Sequence, residues 1–131
     1  SHTERLRRLT ELAGPSGPSD PGWIVWLEVW SLSPHDERIG QGHADLDRRW
    51  VEFLTELVRS GQEAGEFSAE TDPADFAVRY GAMMDGLAIK VVAGIDGMDV
   101  ERLLGTCNAM AAAELRPRTS RTRRPAAAAG S

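Results

Sequence analysis

Residues 39–64 read IGQGHADLDRRWVEFLTELVRSGQEA, and their apolar positions fall at Ile39, His43, Leu46, Trp50, Phe53 with Leu54, Leu57 with Val58, and Ala64. Steps of three and four residues sustained over this length mark one face of a helix, because 3.6 residues per turn brings such positions onto a common stripe. This is the longest helix expected. It should start at Ser33-Pro34, a capping serine followed by a proline whose missing N–H is harmless there, with Asp36 in the first turn facing the positive end of the dipole. Gly40 and Gly42 each weaken its beginning by roughly 1 kcal/mol relative to alanine, so a bend or break is expected near them. Gly61 and Gly65 mark its end.

The same period recurs on both sides of this segment, and nowhere does the chain show the alternation of a half-buried strand. The expected fold class is therefore all-α, a five-helix bundle. A first helix over residues 3–13 carries Leu6, Leu9 and Ala13 and stops at Gly14-Pro15. Residues 14–20, dominated by Gly, Pro and Ser, read as a mobile linker that feeds no side chain to a core. Asp20-Pro21 then starts a helix to about Leu32 that sets Trp23, Trp26, Leu27 and Trp30 on one face. Asp72-Pro73 starts another, to about Ala93, with Phe76, Tyr80, Met83, Met84, Leu87 and Val91 on one side and the small residues Ala77, Gly81 and Ala88 beside them. Asp99 caps the last, to about Leu115, with Met98 and Leu103 spaced as a hydrophobic staple. Its apolar positions are Val100, Leu103, Leu104, Cys107, Met110, Ala111 and Leu115, and the short loop before it makes the last two helices antiparallel neighbours.

With 131 residues and 41% hydrophobic content the chain is the size of one ordinary domain. Its net charge of −5 hides a split: all 20 acidic residues lie at or before Glu114, leaving residues 1–115 at −10 and the five arginines after them at +5. An acidic body repels a phosphate backbone, which excludes a self-sufficient nucleic-acid surface. Residues 116–131, with Arg116, Arg118, Arg121, Arg123 and Arg124, read as a disordered basic tail. The lone Cys107 has no partner for an internal disulfide, and no apolar run reaches the roughly 20 residues of a membrane span. A reducing cytoplasm is the expected setting. A single lysine among the basic residues, with abundant Ala and Gly, points to a bacterial source.

Catalysis is not expected, since no phosphate-binding loop, dinucleotide fingerprint, His-Glu-x-x-His or nucleophile elbow is present. No metal or cofactor is expected either, because His35, His43 and Cys107 stand apart from further ligands. His43, on the apolar stripe, reads as a core histidine or a ligand contact. Asp85 lies amid Met, Leu and Ala and must be paired, solvated or placed at an interface. Cys107 reads as a small buried hydrophobe. Three indoles on one short helix and Trp50 on the next either fill a core or, since large flat side chains pack with gaps, line an apolar pocket. Small residues on the last two helices permit close approach within the chain or between two copies, which favours dimerisation through the hairpin.

The succession Trp26-Leu27-Glu28-x-Trp30, Arg49-Trp50, Gly65-Glu66-Phe67 before Asp72-Pro73, and Met84-Asp85-Gly86-Leu87-Ala88 resembles the C-terminal regulatory domain of TetR-family transcriptional regulators over residues 3–115. The resemblance implies an effector-binding and dimerising domain whose first helix connects to a helix-turn-helix domain of about fifty residues, outside this stretch. The effector is then an apolar or aromatic small molecule, with Trp26, Trp30, His43, Trp50, Phe53, Met83, Met84 and Leu87 as its expected contacts. The homodimer interface is expected at Ala77, Gly81, Ala88, Leu104, Cys107 and Ala111, and DNA contact only through the helix-turn-helix. The alternative is a helical protein-interaction module with no small-molecule ligand, its aromatic residues all core.

Overall fold

Four aspartates open four of the helices, each accepting a hydrogen bond from a backbone N–H that the first turn leaves without a partner. Asp20 accepts from Trp23, Asp36 from Arg38 and Ile39, Asp72 from Asp75, and Asp99 from Arg102. The computed structural model describes residues 1–117, in which five α-helices follow one another: α1 (His2–Ala13), α2 (Pro21–Leu32), α3 (Glu37–Glu63), α4 (Pro73–Ala93) and α5 (Val100–Leu115). Among the described residues there is no strand, so the all-α, five-helix expectation is met. The expected basic tail lies outside the described residues from Arg118 onward.

Two local expectations are corrected. Ser33-Pro34 does not start α3; Ser33 caps the C-terminus of α2, its N–H bonded to the Val29 carbonyl, and Asp36 takes the capping role. Nor does α3 break at its glycines, for it runs unbroken over 27 residues. A Cβ on Gly40 would stand 2.8 Å from the Ser33 carbonyl oxygen, so glycine there allows the start of α3 to lie against the preceding turn. Residues 14–20 are likewise not a free linker. Pro15 is buried, and the Asp20 carboxylate accepts from the Ser16 N–H at 2.9 Å and the Ser16 hydroxyl at 3.0 Å while capping α2.

The core forms around α4, which packs between α3 and α5. Phe76 and Tyr80 are fully buried and stack at 5.3 Å, meeting Leu54 and Val58 of α3, Leu103 and Cys107 of α5, and Leu6 of α1. Each such side chain contributes about 1.5–3 kcal/mol by leaving water. Tyr80 does not leave its hydroxyl unsatisfied: Thr10 Oγ1 donates to the Leu6 carbonyl at 2.9 Å and therefore accepts from Tyr80 at 2.6 Å, which joins α1 to α4 through the core.

This packing uses the small residues inside one chain. Ala77 and Ala88 are 0% exposed, Gly81 is buried, and Cys107 is 0% exposed, so these four have no surface to offer a second copy, contrary to expectation. Small side chains let α4 approach its own neighbours closely. Leu104 is half-buried against the core, and Ala111 lines a groove of about 240 Å³ with Leu6, Phe67 and Leu115, between α1 and α5. Among the described residues no helix is long and apolar enough to cross a membrane.

Candidate ligand site

Where α2 crosses α3 and α4, the bundle leaves a half-open surface cavity of about 260 Å³, lined by Ala13, Trp23, Trp26, Leu46, Asp47, Trp50, Met84 and Asp85, with Leu46 and Asp47 exposed at its rim. Each wall follows from helical spacing. Trp23 and Trp26 lie one step of three apart on α2, and Leu46, Asp47 and Trp50 share a face of α3 by steps of three and four. Met84 and Asp85 come from α4, and Ala13 closes one end as the last residue of α1.

Two of the three indoles are held in place by backbone. Trp23 Nε1 donates to the Ala13 carbonyl at 3.1 Å, fixing its ring and tying α2 to the end of α1. Trp50 lies over Gly81, where an added Cβ would stand 3.3 Å from its Nε1, so the glycine expected at a dimer interface instead seats an indole. Trp26 is braced from behind by the edge of His43, with ring centroids 4.9 Å apart at 70°.

His43 itself stands outside the cavity lining. Ser33 Oγ donates its one proton to the Val29 carbonyl at 2.6 Å and so accepts, at 2.8 Å, from His43 Nδ1–H. The pair has the separation of a nucleophile and base, but the hydroxyl proton points to the backbone and the imidazole is the donor. Trp30 meets the other side of the same ring at 4.4 Å and is 39% exposed. Trp30 and His43 therefore form the α2–α3 contact rather than the expected pocket wall.

Of the eight expected contacts, Trp26, Trp50 and Met84 line the cavity. Met83 and Leu87 are half-buried against the core. Phe53 is 54% exposed and faces a different groove, between α1 and α3, with Arg8, Leu9, Leu12 and Leu57. The site also contains residues left out of that expectation: Trp23, Leu46, Asp47 and Asp85. The spacing of Asp47 three residues before Trp50 was the available signal, as was a carboxylate at Asp85 in an otherwise apolar turn.

The electrostatics of the cavity come from its two carboxylates. Asp85 is half-buried and has no hydrogen bond or ion pair among the described residues. Burial, and then the like charge of Asp47, push its carboxyl up to about 6. Indole faces attract cations through the ring quadrupole, and the carboxylates add negative charge to the same space. The walls are otherwise apolar and ask for no hydrogen-bond donor. The arrangement suits a compact organic cation. No group of three or more His, Cys, Asp or Glu among the described residues is placed to hold a metal ion.

A family model described as BetI-type transcriptional repressor, C-terminal, matches residues 2–116. No curated protein matches the chain at a significant level. Among solved structures, a protein described as a transcriptional regulator from Saccharomonospora viridis, crystallised in complex with choline, superimposes with a TM-score of 0.80 and 31% sequence identity over 90% of this chain. The chain spans 62% of the length of that protein.

Proposed function

The chain belongs to the family of BetI-type transcriptional repressor C-terminal domains, within the TetR-type regulators, and from that premise we propose that it senses a small quaternary ammonium compound such as choline. The observation that carries this reading is the convergence of Trp23, Trp26 and Trp50 with Asp47 and Asp85 on one cavity. Cation–π contacts contribute from about 0.5–1 kcal/mol each at exposed sites to about 2 kcal/mol when desolvated, and a methylated ammonium needs apolar walls because it has no N–H to donate. The choline bound to the Saccharomonospora viridis protein supports the same ligand class. The carboxylates move the reading away from the neutral apolar effector expected from tryptophan and methionine alone. The interaction-module alternative predicts indoles wholly in the core, whereas Trp23, Trp26 and Trp50 are half-buried beside the pocket.

In this proposal the domain dimerises and represses transcription by governing a helix-turn-helix domain outside the described residues. With Ala77, Gly81 and Ala88 buried, the hairpin still offers the exposed Val78, Ala82 and Gly86 on α4 and Gly105 and Ala109 on α5. Effector binding would favour one of two arrangements of α1, whose last residue both lines the cavity and accepts from Trp23.

Isothermal titration of the chain with choline and with 3,3-dimethylbutan-1-ol, its neutral isostere, tests the ligand class. Choline should bind at least tenfold more tightly, and Trp50→Ala should weaken it by a further tenfold or more. Equal affinity for the two compounds, or choline binding untouched by loss of Trp50, would overturn the reading.

A further inference from the structure

Asp85 differs from the other acidic residues that help to hold the fold. Asp20, Asp36, Asp72 and Asp99 cap helices, and Asp45, Asp75, Asp96 and Glu114 are engaged by arginine or lysine. Asp85 has no such partner among the described residues, yet it is half-buried and lines the indole-walled cavity. The elements packed around it bring no cation. From α3 comes the carboxylate of Asp47, from α2 the indoles of Trp23 and Trp26, and from the end of α1 the methyl group of Ala13. On its own helix Lys90 is engaged with Asp96 at 2.7 Å. His43 stands behind Trp26 and is bonded to Ser33. A carboxylate left without a protein cation, half-buried and facing indole walls, meets either water or the positive charge of a ligand.

Resting on the cage reading above, we propose that ligand binding is coupled to proton release: a quaternary ammonium ion and a proton on Asp85 compete, so the cation settles against the indoles as Asp85 gives its proton to solvent. Asp85 then determines charge specificity in the cage. The ionised side chain attracts the cation, whereas the protonated one is neutral and leaves Asp47 as the sole charge. Because a quaternary nitrogen carries no proton, any pH dependence of choline binding belongs to the protein. Linkage fixes its sign: a ligand that prefers the ionised form binds more tightly as pH rises through the range where the free carboxyl titrates, and reaches a plateau above it. Burial and Asp47 put that range around pH 6 rather than near the ordinary carboxylate value.

Calorimetric titration of the whole chain with choline between pH 5.0 and 7.5 tests this. The dissociation constant should rise about tenfold from pH 7.5 to pH 5.0. Near pH 6, buffers of different ionisation enthalpy should reveal about half a proton released per choline. Asp85→Asn should bind choline more weakly than wild type at pH 7.5, with an affinity that no longer follows pH. Asp47→Asn should move the wild-type transition to lower pH by removing the neighbouring like charge. Affinity for 3,3-dimethylbutan-1-ol should not strengthen as pH rises. Choline binding independent of pH in the wild type overturns the linkage while leaving the cage reading standing. A pH dependence that persists in Asp85→Asn overturns it too, by transferring the effect to another group such as His43. Failure of choline to bind at any pH overturns the cage reading and the linkage together.

Discussion

A half-buried carboxylate that is harder to ionise than usual weakens the fold wherever it must be charged. The native state holds the Asp85 proton up to about pH 6, whereas the unfolded chain releases it near the ordinary 3.8. Between these values the native state binds more protons, so stability falls as pH rises from about 4 to about 6 and is lowest, in this respect, above that window. The Asn variant lacks this penalty. Urea denaturation should show Asp85→Asn more stable than wild type by about 1–2 kcal/mol at pH 7.5, after allowance for partial solvent screening. The advantage should be gone at pH 4, and a constant difference across the range would place its origin elsewhere. Asp85 was legible in the sequence as a carboxylate amid Met, Leu and Ala that had to be paired, solvated or placed at an interface. Its companion Asp47 was signalled only by its spacing from Trp50, which does not decide its place because a charge on a long helix reads equally well as part of a solvated face. Gly81 was legible as a point of close approach, but sequence does not say whether an indole or a second copy makes the approach.

Among the elements, α3 shows where a periodic stripe stops being a guide. Trp50 and Phe53 belong to the same run of apolar residues, yet a step of three falls about 60° short of a full turn. Over 27 residues α3 faces α2, α4 and α1, and that rotation is enough to send Phe53 to the α1 side while Trp50 faces the cavity. Three of the helices were legible at their starts because Asp20, Asp72 and Asp99 cap them, two with a proline following, signals that depend only on local chemistry. The start of α3 was misplaced because Ser33-Pro34 carries the same local signal at the end of α2, and only the tertiary approach at Gly40 distinguishes them. α1 is attached at three places: the N-terminal backbone and ring of His2 on Glu66, Thr10 on Tyr80, and Ala13 on Trp23. Removing the middle one with Tyr80→Phe takes away the buried hydrogen bond to Thr10, together with the hydroxyl's weaker contact with the Cys107 thiol, while Thr10 keeps its bond to Leu6. A loss of about 1 kcal/mol is expected in thermal or urea unfolding, with faster hydrogen exchange concentrated in α1. Uniform exchange across all helices would show that the bond does not hold α1 in particular.

The molecule as a whole carries a net charge of −5, concentrated as −10 on residues 1–115. A field of that sign raises the local concentration of a small cation and speeds its encounter, an effect that salt reduces. The proposed dimer adds a second whole-molecule property, and the outer face of the α4–α5 hairpin is where it can be tested. Ala82→Arg places a long cation at an exposed position of α4 and does not touch the core. Wild type should scatter light as twice the 14.3 kDa chain mass and the variant as a single chain, with unchanged helical content. A wild-type mass near 14.3 kDa at micromolar concentration would remove the dimer from the proposal.

α2 carries two of the three indoles, yet none of its residues is buried. Its contacts are half-buried ones, through Trp23, Trp26 and Leu27, so lifting it withdraws no fully buried side chain, whereas each of the other four helices carries at least two. In the proposed sensor the wall of the cage is then also its door. The rate at which the proposed ligand enters and leaves would depend on how often this twelve-residue segment lifts, and a change on its outer side would alter that rate more than the affinity at the indoles. Ile24, Val25 and Leu32, exposed on that helix, are the positions through which the response time of the proposed sensor would evolve independently of its ligand choice.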